Sequence, residues 1–199
     1  ATKAGQAGYI PVGHDYADCP EQLDVNLVLK KLKPWLEDPK QQKVGQNLKF
    51  DLHIFNNHGI RMRGIAHDTL LQSYVLESHR KHDMDSLAQR HLGLKTTSYD
   101  EITGKGINRI SFSKVDLNVA RDYAAEDADI TLRLHEYMWP LLEREPKLTY
   151  IYHDIELPAM EILFEIERFG VLVDAASLNK QTIDLSERIQ VIEKEAFEE

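Results

Sequence analysis

The stretch Val44–Asp51 (VGQNLKFD) constrains the fold more than any other part of this chain. A short apolar step, a Gly-Gln-Asn turn and an amphipathic segment follow one another. This succession is typical of a strand end, a turn and the first turn of a helix. Asp51 is then expected early in the helix, near the C-terminal edge of a sheet, where open α/β sheets bind ligands. A carboxylate there is either a helix-start charge, favoured by the macrodipole, or a site residue.

A second stretch, Tyr123–Asp129 (YAAEDAD), lies inside a long helical pattern. Tyr123 and Asp127 are four residues apart, so they share one face of a helix. A phenol and a carboxylate on one face can together hold a metal ion and a water. The neighbouring Glu126 and Asp129 would face away from Asp127, and we interpret them as solvated charges.

These two stretches resemble a known family. Asn47 with Phe50-Asp51, followed by Tyr-x-x-x-Asp, resembles the second and third motifs of the DnaQ-like 3′→5′ exonucleases. Over most of the chain the amino-acid sequence is similar to that of the exonuclease domain of bacterial DNA polymerase I (family A). The runs that carry the resemblance are VGQNLKFD (44–51), GIAHDTLLQSYVL (64–76), HDMDSLAQRHLG (82–93) and YAAEDADITLRLH (123–135).

The resemblance implies an α/β fold: a ribonuclease H-like mixed sheet flanked by helices, lacking the first strand or strands, with a helical segment at the C-terminal end. It implies a 3′→5′ exonuclease domain over residues 1–152, truncated at its N-terminal side. The run EIERFGVLVD (165–174) resembles the entry to the polymerase domain. Residues 153–199 are therefore expected to be the truncated start of that second domain.

The resemblance also implies chemistry. The intact domain would hydrolyse 3′-terminal nucleotides of DNA by a two-metal-ion mechanism and release nucleoside monophosphates. Asp127 would ligate the metal that carries the attacking water, Tyr123 would orient that water, and Asp51 would hold the second metal. The ions would be Mg²⁺ or Mn²⁺, which prefer oxygen ligands, with Zn²⁺ as a further alternative.

The same resemblance implies a path for the single-stranded 3′ end of DNA. Asn47 would support the turn that aims Asp51. Lys81 stands where the family often has Arg, and it can neutralise a phosphate without the bidentate fork of Arg. Tyr99 could stack on a base. For Lys81 and Tyr99 the alternative is an ordinary solvated loop residue. The rest of the polymerase chain is the other expected partner.

The family pattern needs a first motif, Asp-x-Glu, which we do not find on a strand. The one Asp-x-Glu, Asp154-Ile155-Glu156, lies in a helical pattern where positions two apart diverge, and it is expected to be an exposed helix start. We therefore expect this chain to begin downstream of the motif, to be nearly inactive alone, and to bind fewer ions than the intact domain or none. A non-catalytic scaffold and a ribonuclease D-like RNA exonuclease are the alternatives.

Composition bounds these hypotheses. A net charge of −9 argues against a broad phosphate-binding face but allows a narrow cleft in which metal ions supply the positive charge. No apolar run reaches the roughly 20 residues of a membrane span. The single Cys19 fits a reducing compartment, and a bacterial cytoplasmic location is expected. The pairs His53/His58 and His79/His82 lack the further ligands that a zinc site needs.

Local signals predict the main elements. Four short strands are expected, at Tyr9–Val12, Lys43–Gln46, Ile60–Ala66 and Val171–Asp174. Asp68 and Asp116 are expected to cap helices. Pro34 is expected to end or kink one helix, and Pro140 to interrupt another.

Overall fold

In the computed structural model, which describes residues 1–198, nine α-helices accompany a two-stranded parallel sheet. The elements in chain order are α1 Val25–Glu37, β1 Lys43–Gly45, α2 Leu48–Asn57, β2 Ile65–Asp68, α3 Thr69–Leu76, α4 Met84–Leu87, α5 Tyr99–Thr103, α6 Leu117–Glu143, α7 Pro146–Tyr150, α8 Leu157–Phe169 and α9 Ala175–Glu198. Two π-helical segments, Ala88–Leu92 and Ile151–Glu156, continue α4 and precede α8.

The sheet places the ends of its two strands side by side. β1 and β2 are parallel, with Val44 opposite His67 and Gly45 opposite Asp68. The connection between them contains α2, so this part of the chain is a βαβ unit. The C-terminal edge of the sheet therefore carries the start of α2, where Asp51 lies, and the start of α3. The predicted α/β class is confirmed, while the ribonuclease H-like mixed sheet remains a prediction.

Two apolar clusters form the core around this unit. The first joins α1, α2 and α8 with the segment before β2 through the buried side chains of Leu36, Leu48, Leu52, Ile60, Met62, Met160 and Phe164. The second joins α4 and its π-helical continuation to α6 through Leu87, Ala88, Ile130, Leu134 and Met138. The long helix α6 also packs against α3 and β1. The second half of α6, which carries Ile130, Leu134 and Met138, is thereby held against α4 and its π-helical continuation.

Two of the four predicted strands are wrong, and a third is displaced. Residues 9–12 and 171–174 belong to no strand, because a strand exists only where a neighbour supplies hydrogen bonds. Val171 and Leu172 are almost fully exposed. The strand predicted at Ile60–Ala66 lies at Ile65–Asp68, since Ile60 and Met62 enter the first core cluster as irregular chain.

Both prolines lie inside helices that continue beyond them. Pro34 is followed by three further helical residues of α1, and Pro140 by three of α6, so neither ends its helix. In each case a leucine two residues further on is buried: Leu36 exposes 4% of its surface and Leu142 none. Burying a leucine contributes about 1.5–3 kcal/mol, comparable with the roughly 3 kcal/mol that an interior proline costs.

The chain divides into two compact units, Ala1–Phe164 and a second that begins at Glu165. Both core clusters belong to the first unit. From Glu165 to Phe197 every residue is exposed, including the apolar residues of α9. No helix among residues 1–198 is both long and apolar enough to cross a membrane.

Candidate functional site

Asp51 owes its position to the turn between β1 and α2. Asn47 has φ 58° and ψ 49°, a left-handed conformation that Asn tolerates better than most residues. The chain reverses there, and α2 begins at Leu48 with Asp51 in its first turn. The sequence interpretation of a strand end, a turn and a helix start is therefore confirmed. The specific role of Asn47 in aiming Asp51 agrees with this backbone geometry and stays a prediction.

The carboxylate of Asp68 fixes that turn. Its oxygens accept hydrogen bonds from the amides of Asn47 (3.1 Å) and Leu48 (2.7 Å), at the start of α2. They also accept from Leu70 (2.9 Å) and Leu71 (3.4 Å), at the start of α3. Asp68 was predicted to cap α3 alone. The structure adds α2, so one buried side chain joins both helix starts at the sheet edge.

Asp51 is partly buried beside Asp68. Burial, together with the negative charge of Asp68, raises its pKa to about 6. Desolvation penalises the ionised form of a carboxylate. Asp51 is thus ionised at neutral pH, but its charged form is destabilised by burial. A nearby cation would stabilise that charged form.

Tyr123 and Asp127 lie on one face of α6, as their spacing predicts, and their side chains interact. Burial raises the pKa of Tyr123 well above its ordinary value, and the charge of Asp127 adds to the shift. The phenol therefore stays protonated and acts as the donor. Burial also raises the pKa of Asp127 to about 6, although the bond from Tyr123 opposes the shift. Oδ1 of Asp127 is buried without a hydrogen-bond partner.

Two carboxylates that we did not predict for the site lie near this pair. The charges of Asp85, on α4, and Glu126 both raise the pKa of Asp127. No sequence signal separates Asp85 from an ordinary helix-start acid, since it lies some 40 residues from Asp127 and meets it only through packing of α4 on α6.

The interpretation of Glu126 and Asp129 as solvated charges is wrong. Oε2 of Glu126 accepts a hydrogen bond from the amide of Thr97 at 2.9 Å. Asp129 exposes only 16% of its side chain, lies 2.8 Å from Nε of Arg133, and accepts from the amide of Gly5. Both face away from Asp127 as expected, but they face other parts of the protein and not water.

Tyr99 lies beside α6, and Lys81 lies beside α4. The ring centroid of Tyr99 is 6.3 Å from that of Tyr123, and 43% of the residue is exposed. Lys81 is exposed and lines an open depression together with Asp85, Arg80 and Arg90. The structure thus brings the ring of Tyr99 beside Tyr123, whereas Lys81 shares its depression with Asp85.

Asp51 and Asp127 have different immediate surroundings. Asp68 is the charged neighbour that acts on Asp51, whereas Asp85 and Glu126 act on Asp127. Within residues 1–198, no group of three or more His, Cys, Asp or Glu side chains lies close enough to hold a metal ion. The sequence-predicted carboxylates are therefore present, but the described chain does not gather a complete oxygen-ligand set around either one.

The histidines considered for a zinc site and the Asp-x-Glu run have surroundings of their own. His82 shares a 2.8 Å hydrogen bond with Ser73, and the ring of His53 packs at 4.8 Å on Phe164. Asp154 is exposed and Glu156 half-buried in the π-helical segment that precedes α8.

Comparison with known proteins decides the family. Residues 1–143, nearly three quarters of the chain, match the 3'-5' exonuclease family. The chain belongs to the 3'-5' exonuclease family. The exonuclease-family chain is similar over its whole length to DNA polymerase I of Pseudomonas aeruginosa, with 47% identity over 201 residues. It is 34% identical to DNA polymerase I of Rhizobium leguminosarum over 203 residues, which cover 96% of the chain.

These relatives are much longer proteins. The exonuclease-family chain spans 22% of the Pseudomonas protein and 20% of the Rhizobium protein, about a fifth of each. Among solved structures it resembles the POL domain of Pol1 from M. smegmatis in complex with DNA primer-template and dNTP. That likeness has a TM-score of 0.64 and 23% identity, and it covers 84% of this chain and 26% of the other. At this identity it supports the fold alone.

Proposed function

We propose that the chain is part of a bacterial DNA polymerase I and carries most of its 3′→5′ exonuclease domain. In the whole protein this domain would hydrolyse 3′-terminal nucleotides of DNA and release nucleoside monophosphates, removing misplaced 3′ ends. Family membership and the DNA polymerase I relatives support the proposal. Residues 1–152 would be the exonuclease domain and residues 153–199 the start of the polymerase domain, in a cytoplasmic protein.

The unpartnered oxygen of Asp127 is the observation that supports the proposal at the level of single residues. Asp127 is a partly buried carboxylate whose Oδ1 is buried without a hydrogen-bond partner, and the phenol of Tyr123 interacts with it. Buried polar atoms are nearly always hydrogen-bonded, so an exception calls for an explanation such as an ion. A hard divalent cation takes oxygen ligands and would supply charge neutralisation and an activated water. Asp127 fits such an ion, and Asp51 could hold a second one.

The fit is incomplete for the pair of ions that the family uses. Such a site needs three or four carboxylates, and residues 1–198 gather no group of three. We therefore assign to this chain only the tasks of its own side chains. Asp127 provides an anionic oxygen, Tyr123 donates a hydrogen bond that orients Asp127 or a water, and Asp51 provides a second anion at the sheet edge.

In this proposal the single-stranded 3′ end would contact both Tyr99 and Lys81. An exposed ring can stack on a base without regard to sequence, and Lys81 with the neighbouring Arg80 can neutralise phosphates. Asn47 would act through the turn that orients Asp51. In this proposal the strand meets local positive charge despite the overall charge of −9.

A non-catalytic scaffold is the second candidate, and it agrees with the finding that residues 1–198 bring no three metal-ligating side chains together. In that case the chain would support the rest of the polymerase without holding ions. The exposed apolar residues of α9 suit either function, because both require further polymerase residues to cover them.

Calorimetric titration of Mn²⁺ into the chain separates the two functions. The exonuclease proposal predicts saturable binding that Asp127→Ala abolishes and Asp122→Ala preserves. Asp122 is a matched control, since it lies on the same helix with 71% of its side chain exposed. Equal heats in wild type and Asp127→Ala would contradict the exonuclease proposal. A release assay on 3′-labelled single-stranded DNA then tests our expectation that this chain alone turns over little substrate.

A further inference from the structure

The segment Thr96–Tyr99 is held by side chains at two successive residues. Oγ1 of Thr96, which exposes only 7% of its surface, donates a 2.6 Å hydrogen bond to Oδ1 of Asp85. The amide of Thr97 donates a 2.9 Å hydrogen bond to Oε2 of Glu126. These two carboxylates come from α4 and α6, so the segment is attached to both helices immediately before α5 begins.

The next two residues, Ser98 and Tyr99, fix the direction in which the segment continues and the orientation of the Tyr99 ring. Ser98 caps α5 in a reciprocal capping box with Glu101, which fixes the start of the helix at Tyr99. The ring of Tyr99 stacks on that of Phe112, with centroids 6.1 Å apart and planes 13° apart. It meets Tyr123 edge-on at 67°. The Tyr99 ring is therefore packed against these two rings, the guanidinium of Arg109 lies 5.9 Å from its centroid, and 43% of the residue stays exposed.

Glu126 connects this segment to the candidate catalytic pair. It precedes Asp127 on α6, and consecutive helical residues point about 100° apart. Asp127 therefore faces Tyr123 while Glu126 faces Thr97. A shift of α6 that moved Asp127 would move the attachment of Tyr99 as well, and the reverse holds. The helix thus couples the position of the exposed ring to the position of the carboxylate.

We propose that Asp85 and Glu126 are positioning residues that hold Thr96–Tyr99 so that the exposed ring of Tyr99 forms a stacking surface for the terminal base of a DNA strand beside Tyr123 and Asp127. This inference rests on the proposed function, and it goes beyond it by assigning two carboxylates that bind no substrate themselves. A ring fixed before binding avoids the entropy of ordering a loop, which strengthens affinity without adding a contact.

The experiment compares Glu126→Ala with Glu126→Gln. Both variants lose the charge, but only Gln keeps an oxygen that accepts from Thr97. Affinity for a 5′-fluorescein-labelled oligo-dT is measured by anisotropy in Ca²⁺, and stability is measured by thermal unfolding. We expect Glu126→Ala to weaken binding about 5- to 10-fold, approaching the effect of Tyr99→Ala, and Glu126→Gln to restore it to within about twofold. Asp85→Ala and Asp85→Asn form the parallel pair.

A second measurement tests positioning without DNA. Nuclear Overhauser contacts between the rings of Tyr99 and Tyr123 should disappear in Glu126→Ala and persist in Glu126→Gln. Persistence of these contacts in Glu126→Ala overturns the inference, as does wild-type affinity in that variant. If the wild-type chain binds no oligo-dT, the proposed function fails, and the ring contacts alone then decide whether Asp85 and Glu126 position Tyr99.

Discussion

Asp68 illustrates how much one side chain can organise at the residue scale. Its carboxylate accepts four backbone hydrogen bonds from two helix starts, and its own amide donates to Oη of Tyr152 at 2.9 Å. Burial raises the pKa of Asp68, while the four amides oppose that shift. The residue thus resembles an N-cap shared by α2 and α3, placed where a loose turn would misplace Asp51.

Replacing Asp68 by Ala should destabilise the protein far more than removing an ordinary cap. Four amides would lose their acceptor in a buried place, and we expect a loss of about 3 kcal/mol in the free energy of unfolding. Asp24→Ala is the matched control, because Asp24 caps α1 at the surface through one bond to Leu27. It should lose about 1 kcal/mol. Urea denaturation measures both values, and equal losses would contradict the shared-cap interpretation.

A second residue-scale prediction concerns His67. Its ring lies 4.3 Å from His135 and 4.5 Å from Trp139, and the buried amide of Gln72 bonds both histidines. Burial, together with the charges of His135 and His153, lowers the pKa of His67 to about 4. Protonation therefore opposes the folded state. Stability should be complete above about pH 6.5 and fall as the pH drops towards 4.

His67→Phe should remove part of that acid sensitivity. Phe keeps a ring in the cluster but cannot gain a proton. After a discount for partial exposure, we expect the wild type to lose about 1 kcal/mol more than the variant between pH 7 and pH 4. Urea denaturation at the two pH values measures the difference. Parallel losses in the two proteins would show that His67 does not titrate as described.

At the element scale, the loop from α1 to β1 depends on one glycine in the approach to β2. Gly64 has φ +71°, and a Cβ there would lie 2.4 Å from the carbonyl oxygen of Gln41. The same loop directs its carbonyls at the buried ammonium of Lys43, which bonds the oxygens of Gln41 (2.8 Å) and Asp38 (3.2 Å). Burial lowers the pKa of Lys43. The carbonyls are therefore held by two neighbours and cannot yield easily.

Gly64→Ala is accordingly expected to disturb β1 and β2 together. The left-handed backbone alone costs Ala about 1 kcal/mol, and the clash with backbone atoms should bring the loss to about 3 kcal/mol or more. Gly93→Ala is the control, since Gly93 has φ +67° but no atom within 4 Å of the added Cβ. Thermal unfolding of both variants measures the difference. A Gly64→Ala loss as small as that of Gly93→Ala would refute the close approach.

At the scale of the whole molecule, the first unit contains all the buried core that the structure describes. Both apolar clusters lie between Leu36 and Phe164, and every residue from Glu165 to Phe197 is exposed. The chain also spans about a fifth of its curated relatives. The first unit should therefore be the part of this chain that unfolds cooperatively.

Ending the chain after Phe169 tests this expectation. The deletion removes no buried side chain of the described residues, so the free energy of unfolding should change by less than about 1 kcal/mol. Solubility should rise, because exposed apolar residues such as Leu172, Ile183 and Ile192 are removed. Denaturant unfolding and light scattering provide the measurements. Loss of the cooperative transition would show that the C-terminal residues stabilise the first unit.

The sequence alone determined the local features whose causes are local. The turn at Asn47, the helix starts at Asp68 and Asp116, and the shared face of Tyr123 and Asp127 follow from backbone preferences and helical spacing. Such features depend on residues within four positions of one another. They could therefore be predicted without knowledge of the tertiary contacts.

Only the tertiary structure decided the features that depend on distant partners. Residues 9–12 and 171–174 have strand-like composition but no strand to pair with, and α1 and α6 continue past Pro34 and Pro140 because the leucines beyond are buried. Glu126 differs from a solvated acid only because Thr97 meets it across 29 positions of sequence. Hydrogen bonding between strands and burial in a core are properties of what surrounds a residue, and these surroundings arise when the chain folds.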